Sequence, residues 1–229
     1  MYYEPNNSYF FYPYNRNNSY YKSKEIKTLR VDGTSNVKAT PDTASIILGI
    51  QTENTDLETA QNENTIIATR VINSLKSIGI NEESMNTDSY AIEPLYDYID
   101  GKQTFRTYRV TNNIKVITMT INSIGTIVDT ATANGVNIIN NISFFLSNPT
   151  PYYRKTLNLA VEDALIRARS ISNSLGVTLN ETPINIVESR FDQPSSSARN
   201  PLVFAAASTP ILPGQLNITA HITATFNYQ

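Results

Sequence analysis

From Lys27 onward the hydrophobic positions switch between a period of two and a period of three to four, and each switch marks an element. "KTLRVDGTS" and "NVKATPDTASIILGIQTE" are rich in Val, Ile and Thr and are punctuated by Gly33 and Pro41, which predicts two β-strands. "NTDLETAQNENTIIATRVINSLKSIGI" then places Leu57, Ala60, Ile67, Val71, Leu75 and Ile78 on one helix face, with Asn64 inside the stripe. Thr55 or Asp56 is the expected cap, and Gly79 ends the helix. "SMNTDSYAIEPLYDYI" and "FRTYRVTNNIKVITMTI" flank "DGKQ", and an Asp-Gly pair between two β-rich runs predicts a hairpin. "NSIGTIVDTATANG" predicts a shorter helix, capped by Asn122 or Ser123 and stopped at Gly135.

"VNIINNISFFLS" follows as a strand alternating at Ile138, Ile142 and Phe144. A second long helix over "YRKTLNLAVEDALIRARSISNSLGV" is predicted to bury Leu157, Val161, Ala164, Ala168, Ile171 and Leu175, and Gly176 closes it. Its alanines allow close approach to a sheet or to another helix. "INIVESRF" and "QLNITAHITATFNY" complete the strands, either side of a Pro/Ser/Ala-rich loop from about Asp192 to Gly214. In the last strand Ile218, Ala220, Ile222, Ala224 and Phe226 share one face, and Thr219, His221, Thr223 and Thr225 the other. The order β-β-α-β-β-α-β-α-β-β predicts an α+β fold. Its largely antiparallel sheet carries two long helices and one shorter helix on one face.

The opening "MYYEPNNSYFFYPYNRNNSYYKSK" has none of this regularity. Seven of the chain's 14 tyrosines lie in its first 21 residues, and prolines and asparagines interrupt every apolar run. A secretory signal needs a basic start and an uninterrupted apolar stretch of roughly 7–15 residues. The expectation is therefore a chain made in the cytoplasm without a signal peptide, with a flexible Tyr/Asn-rich tail over 1–24 and a folded domain over 25–229. Tyr2, Tyr3, Tyr9, Phe10, Phe11, Tyr12, Tyr14, Tyr20 and Tyr21 are candidates for self-association or surface contact, since aromatic rings offer large amphipathic area. The alternative is a terminus with no role.

Composition narrows the chemistry. The net charge of −2 lacks the basic excess that phosphate neutralisation needs, so no nucleic-acid partner is expected. No apolar run is long enough for a membrane helix. With no cysteine, disulfides, thiolate metal sites and cysteine nucleophiles are excluded. HExxH, GxSxG, Walker A and GxGxxG motifs are absent. The single histidine, His221, falls on the polar face of a strand and reads as a solvated residue. Asp97 and Asp100 read as turn formers, Asp42 as a turn or cap residue, and Asp163 as the i,i+4 partner of Arg167. Arg106, Tyr108 and Arg109 form a small basic-aromatic group on a strand, either a cross-strand pairing face or a contact for an anionic partner. No catalytic residue, cofactor or metal is expected.

The ordered series "VDGTSNVKATPDTASIILGIQTE", "TAQNEN", "LKSIGI", "TDSYAIEPLY", "YRVTNNIKV", "TATANGVNIINNISF", "AVEDALIRARSIS" and "ILPGQLNITAHITATF" resembles the SIMPL-domain family over about residues 27–228. That family includes periplasmic immunogenic and oxidative-stress-defence proteins. The resemblance implies an α+β domain that in some members builds ring- or channel-like homo-oligomers, with no established enzymatic activity or cofactor. Many relatives are exported with a signal peptide, where this chain carries its tyrosine-rich segment. The expected function is a non-enzymatic, self-assembling structural or interaction protein. Strand edges and the alanine-rich helix would supply its contacts. Other surface-layer proteins are possible partners, and a spore coat or exosporium is the expected location. A soluble stress-defence module recognising a protein or small ligand is the alternative. An enzyme would require Asp42, His221, Arg106 and Arg109 to converge.

Overall fold

The computed structural model describes residues 27–189, 196–198 and 211–229. Three helices and eight strands follow in the expected order, with one short addition. They are β1 (Thr28–Ala39), β2 (Thr43–Asn54), α1 (Leu57–Ser77), β3 (Met85–Ile99), β4 (Lys102–Thr118), α2 (Ile124–Ala133), β5 (Ile138–Phe145), α3 (Thr150–Leu175), β6 (Asn185–Glu188), β7 (Ser196–Ala198) and β8 (Leu216–Asn227). All the strand pairings are antiparallel. They form two sheets, a three-stranded one ordered β1-β8-β6 and a five-stranded one ordered β3-β4-β2-β5-β7. The division falls at the β1–β2 connection. β1 runs its full length against β8, at the other end of the chain, rather than against its neighbour β2. The expected boundary at residue 24 lies outside the described residues.

The five-stranded sheet is covered by α1 and α2. Asp56 caps α1, accepting from Thr59 N at 2.8 Å. The core beneath is built of large apolar side chains: Ile46, Leu48 and Ile50 of β2, Val71 and Leu75 of α1, Ile127 of α2 and Phe144 of β5 are all buried. Burying each such side chain stabilises by about 1.5–3 kcal/mol before entropy is counted. Asn64 is the polar exception. Its amide nitrogen donates to the carbonyls of Ile50 at 3.0 Å and Val110 at 3.3 Å, which fixes α1 across the β2–β4 seam. Ile138, expected to alternate inward with Ile142 and Phe144, faces the opposite side. A bulge between Ile46 and Leu48 shifts the β2–β5 register by one residue and brings Ile138 opposite Gly49.

The three-stranded sheet is covered by α3, where Ala164 and Ala168 of the expected stripe are buried and Val161, Ile171 and Leu175 turn outward. The buried line is Thr156, Ala160, Ala164, Ala168 and Ser172. Leu175 is 62% exposed, and Val161 and Ile171 are each more than a third exposed. The cause lies in β1. A Cβ built on Gly33 would sit 2.0 Å from the Ala160 carbonyl oxygen and 2.8 Å from the Ala164 Cβ, so the helix backbone rests on the strand and admits only small residues. The two polar members of the stripe are satisfied by back-bonding: Thr156 Oγ1 donates to Tyr152 O and Ser172 Oγ to Ala168 O, each at 2.8 Å. The alanine face is thus filled by the chain's own sheet. This corrects the expectation that it supplies contacts to another protomer.

A third cluster of Ala39, Leu146, Leu216 and Ile218, with Tyr153 against it, joins the halves. Beside it Asp42 accepts from Ser147 N at 2.7 Å and Ser147 Oγ at 2.8 Å, pinning the β1–β2 turn to the β5–α3 connection. The first of these bonds is the main reason that its carboxyl is held below the ordinary aspartate value.

Candidate interaction site on the β3–β4 arm

β3 and β4 form a long hairpin closed by Asp100 and Gly101, both in the left-handed region with φ of 52° and 74°. Asp and Gly tolerate that conformation, which is why this dipeptide makes a two-residue turn matching the strand twist. β4 begins at Lys102, three residues before its predicted start, because the ladder runs to the turn and pairs Ile99 with Lys102. β3 is the edge of its sheet and has no neighbour beyond it among the described residues. Helix α1 packs chiefly on β2 and β4 and meets β3 only near its start, where Ile72 and Met85 line one small cleft.

The consequence is an uncovered aromatic stripe. Ile92 pairs with the buried Val110, so alternate residues from Tyr90 to Tyr98 lie on the side that faces the helices. Tyr90, Ile92, Tyr96 and Tyr98 follow at intervals of two or four, with Pro94 between. Tyr96 is 46% and Tyr98 76% exposed. Tyr96 meets Phe105 edge-on at 6.0 Å between ring centroids, and Phe105 meets Tyr108 at 4.9 Å. None of these side chains is charged.

The opposite side of the arm holds the charges. Arg109 donates from Nε to Glu53 at 2.8 Å and pairs with it from Nη2 at 2.7 Å. Arg106 reaches Glu53 at 3.4 Å and Asp97 at 3.5 Å. The Arg109 hydrogen bond is the largest cause holding the Glu53 carboxyl below its usual range, and both guanidinium charges add to it. Register explains the meeting, since β2 sets Glu53 directly opposite Arg109. Of the three residues singled out in sequence, Arg106 and Arg109 therefore converge, while Tyr108 joins the aromatic side. The two arginines are neutralised in the manner of a cross-strand pairing face. Glu53 escaped attention because only strand pairing brings β2 beside β4. Asp97 is an ion-pair partner, whereas Asp100 is the turn former.

The remaining expectations are dispersed. His221 stands on the three-stranded sheet opposite Thr34, Asp42 is bonded to Ser147 at the joint, and the arginines lie on the arm. They do not form one site. Asp163 pairs with Arg167 at 2.9 Å as expected, and also accepts from Thr34 N at 2.9 Å. Among the described residues no cluster of three His, Cys, Asp or Glu is placed to hold a metal, and no helix is long and apolar enough to cross a membrane. The tyrosines and phenylalanines from Tyr2 to Tyr21 lie outside the described residues.

The 26 kDa periplasmic immunogenic protein of Brucella melitensis is 26% identical over 209 residues, covering 86% of this chain and 83% of the relative. The uncharacterized protein YggE of Escherichia coli K12 is 26% identical over 141 residues, covering 62% and 57%. YggE of Edwardsiella ictaluri is 25% identical over 148 residues, covering 64% and 62%. A solved hydrolase from Listeria innocua aligns with a TM-score of 0.16 at 9% identity, covering 89% of this chain and 92% of that one, a likeness that carries no argument.

The Brucella protein is named as periplasmic, and that overturns the expectation of a chain retained in the cytoplasm and built into a spore coat or exosporium. The expectation rested on the opening residues, whose composition does not by itself fix a compartment. The family model described as SIMPL, protein of unknown function (DUF541), matches residues 29–226, so the chain belongs to the SIMPL family.

Proposed function

We propose that this protein is a non-enzymatic, self-associating interaction protein whose β3–β4 arm is the contact element. The observation that carries this reading is the uncharged aromatic stripe Tyr90, Ile92, Tyr96, Tyr98 and Phe105, exposed along the hairpin. Aromatic residues dominate the anchoring positions of interfaces, because they bury large area at small entropy cost. A second copy is the occupant that suits it. Two stripes packed face to face oppose no like charges. Pairing the β3 edges instead would set Asp88, Glu93 and Asp97 against a strand that carries no positive charge to answer them. Like charges directly opposite are destabilising. The name of the Brucella relatives supports a working place outside the cytoplasm.

Light scattering and sedimentation over a range of concentrations test the proposal. Oligomers are expected, and Tyr98→Glu together with Phe105→Glu is expected to convert them to monomers without changing the circular dichroism spectrum. A wild-type protein that stays monomeric at the highest concentrations overturns the reading. So does an oligomer that is indifferent to both substitutions.

A further inference from the structure

The edge of β1 carries a second candidate site, independent of the arm. Among the described residues β1 ends the three-stranded sheet, and α3 lies along it, leaving an open cleft of about 400 Å³ lined by Arg30, Val31, Asp32, Arg167, Ser170 and Ile171. The N–H of Thr34 points away from β8, because it donates to the carboxylate of Asp163 at 2.9 Å. Backbone groups of alternate residues in an antiparallel strand point the same way. The N–H and C=O of Arg30 and Asp32 therefore face the cleft. Two residues further on, Asp163 shows the chemistry this edge accepts: a carboxylate held by an outward N–H of β1 and by Arg167 at 2.9 Å. The contacts of Arg167 with Asp163 and with Thr34 Oγ1 both use Nη2, one corner of a guanidinium that has five N–H donors.

We propose that this cleft binds the carboxyl-terminal end of an extended peptide, which adds to β1 as a further strand alongside Arg30 and Asp32 and places its terminal carboxylate at Arg167. Strand addition takes its affinity from the main chain and its selectivity from a few pockets. The cleft offers both parts, an open strand edge and a cation with unused donors. It also supplies a stop. Asp163 already occupies the next outward N–H, so an added strand ends at Thr34, and a chain terminus fits there where a continuing chain does not. Val31 and Ile171 provide apolar wall for a β-branched side chain. Directionality follows from the position of Arg167, which puts the peptide parallel to β1. A peptide bound here leaves β3 and β4 free, so failure of self-association and failure of peptide binding are separately readable.

The test uses the full chain and a fluorescein-labelled hexapeptide, Thr-Val-Thr-Val-Thr-Val, with a free carboxyl terminus. Fluorescence anisotropy is expected to show saturable binding, weakened at least about tenfold by amidation of the carboxylate or by Arg167→Gln, in line with loss of one charge-assisted contact. Hydrogen exchange at the amides of Arg30 and Asp32 is expected to slow on binding, while that of Thr34 is unchanged. The capped peptide and the exchange measurement need no variant, so a poorly folded Arg167→Gln protein does not shield the proposal. Equal binding of the amidated peptide, unslowed exchange at Arg30 and Asp32, or no binding at millimolar peptide overturns it. Binding that emerges only after residues 1–26 are removed assigns the edge to the chain's own N-terminal segment, and also overturns it.

Discussion

The two helix-on-sheet halves bury their helices by opposite means. Under α1 and α2 the five-stranded sheet is filled by Ile, Leu, Val and Phe, and the helices stand off at the distance those side chains demand. Under α3 the three-stranded sheet meets Ala160 and Ala164 at Gly33 with almost no side chain between the backbones, and the larger Val31, Ile222 and Phe226 fill in beside that contact. The edges differ correspondingly. Close approach lets Asp163 of α3 reach the outward N–H of Thr34, which blunts β1 at that one position, whereas β3 has no such cap among the described residues. Open edges are where strands recruit partners, and folds that avoid pairing cover or charge them. One half of this molecule is capped at Thr34 by its own helix, and the other presents an arm.

The comparison breaks most sharply where each half is most tightly committed. Leu75→Ala removes a fully buried side chain from the core of large apolar residues and is expected to cost about 3–4 kcal/mol in chemical denaturation. Gly33→Ala tests the other design. Its Cβ meets helix backbone rather than a side chain that can turn away, so a loss of about 3 kcal/mol is expected, at the upper end for overpacking. If Gly33→Ala were neutral, the account of α3 as a backbone-contact helix would be wrong. Asn64→Leu leaves the carbonyls of Ile50 and Val110 without the amide that bridges them, and an intermediate loss of about 1–3 kcal/mol is expected.

A smaller effect separates the halves by pH. The Thr34 N–H is the chief cause lowering the Asp163 carboxyl, and the Arg109 hydrogen bond the chief cause lowering Glu53. A carboxylate depressed in the folded state contributes stability that is present above its unfolded value. That contribution is lost as pH falls through the folded value. Thermal stability is therefore expected to decline below about pH 4, near the ordinary carboxylate range. Asp163→Asn and Glu53→Gln should each make that decline shallower. An unchanged slope in both variants would show that neither bond survives in solution. The smallest expected effect is that of Arg106→Gln, within about 0.5 kcal/mol, since its contacts with Glu53 and Asp97 are long and half-exposed.

Much of this was legible beforehand. The caps at Asp56 and Gly176, the Asp100-Gly101 turn and the inward face of β8 all follow from local chemistry that neighbouring residues supply. The α3 stripe misled, because large apolar residues at helical spacing ordinarily mark the buried side. Here Val161, Ile171 and Leu175 stay out, since Gly33, more than a hundred residues away, sets a clearance against α3 that only small residues fit. Arg106 and Arg109 could be flagged as a pair, but Glu53 could not be joined to them without the β2–β4 register. Nor could the division into two sheets be foreseen, because it depends on β1 choosing β8 over β2.

What the amino-acid sequence determined by itself was the kind and order of the elements, since helix and strand periods, caps and turns are properties of a few adjacent residues. It also carried the family, in a series of short motifs spread over nearly the whole described chain. What only the tertiary structure decided was which side of α3 is buried, which carboxylate answers which arginine, and which strand edges are left unpaired. Those outcomes depend on distances between segments far apart in the chain, where a missing Cβ or a one-residue register shift changes the partner.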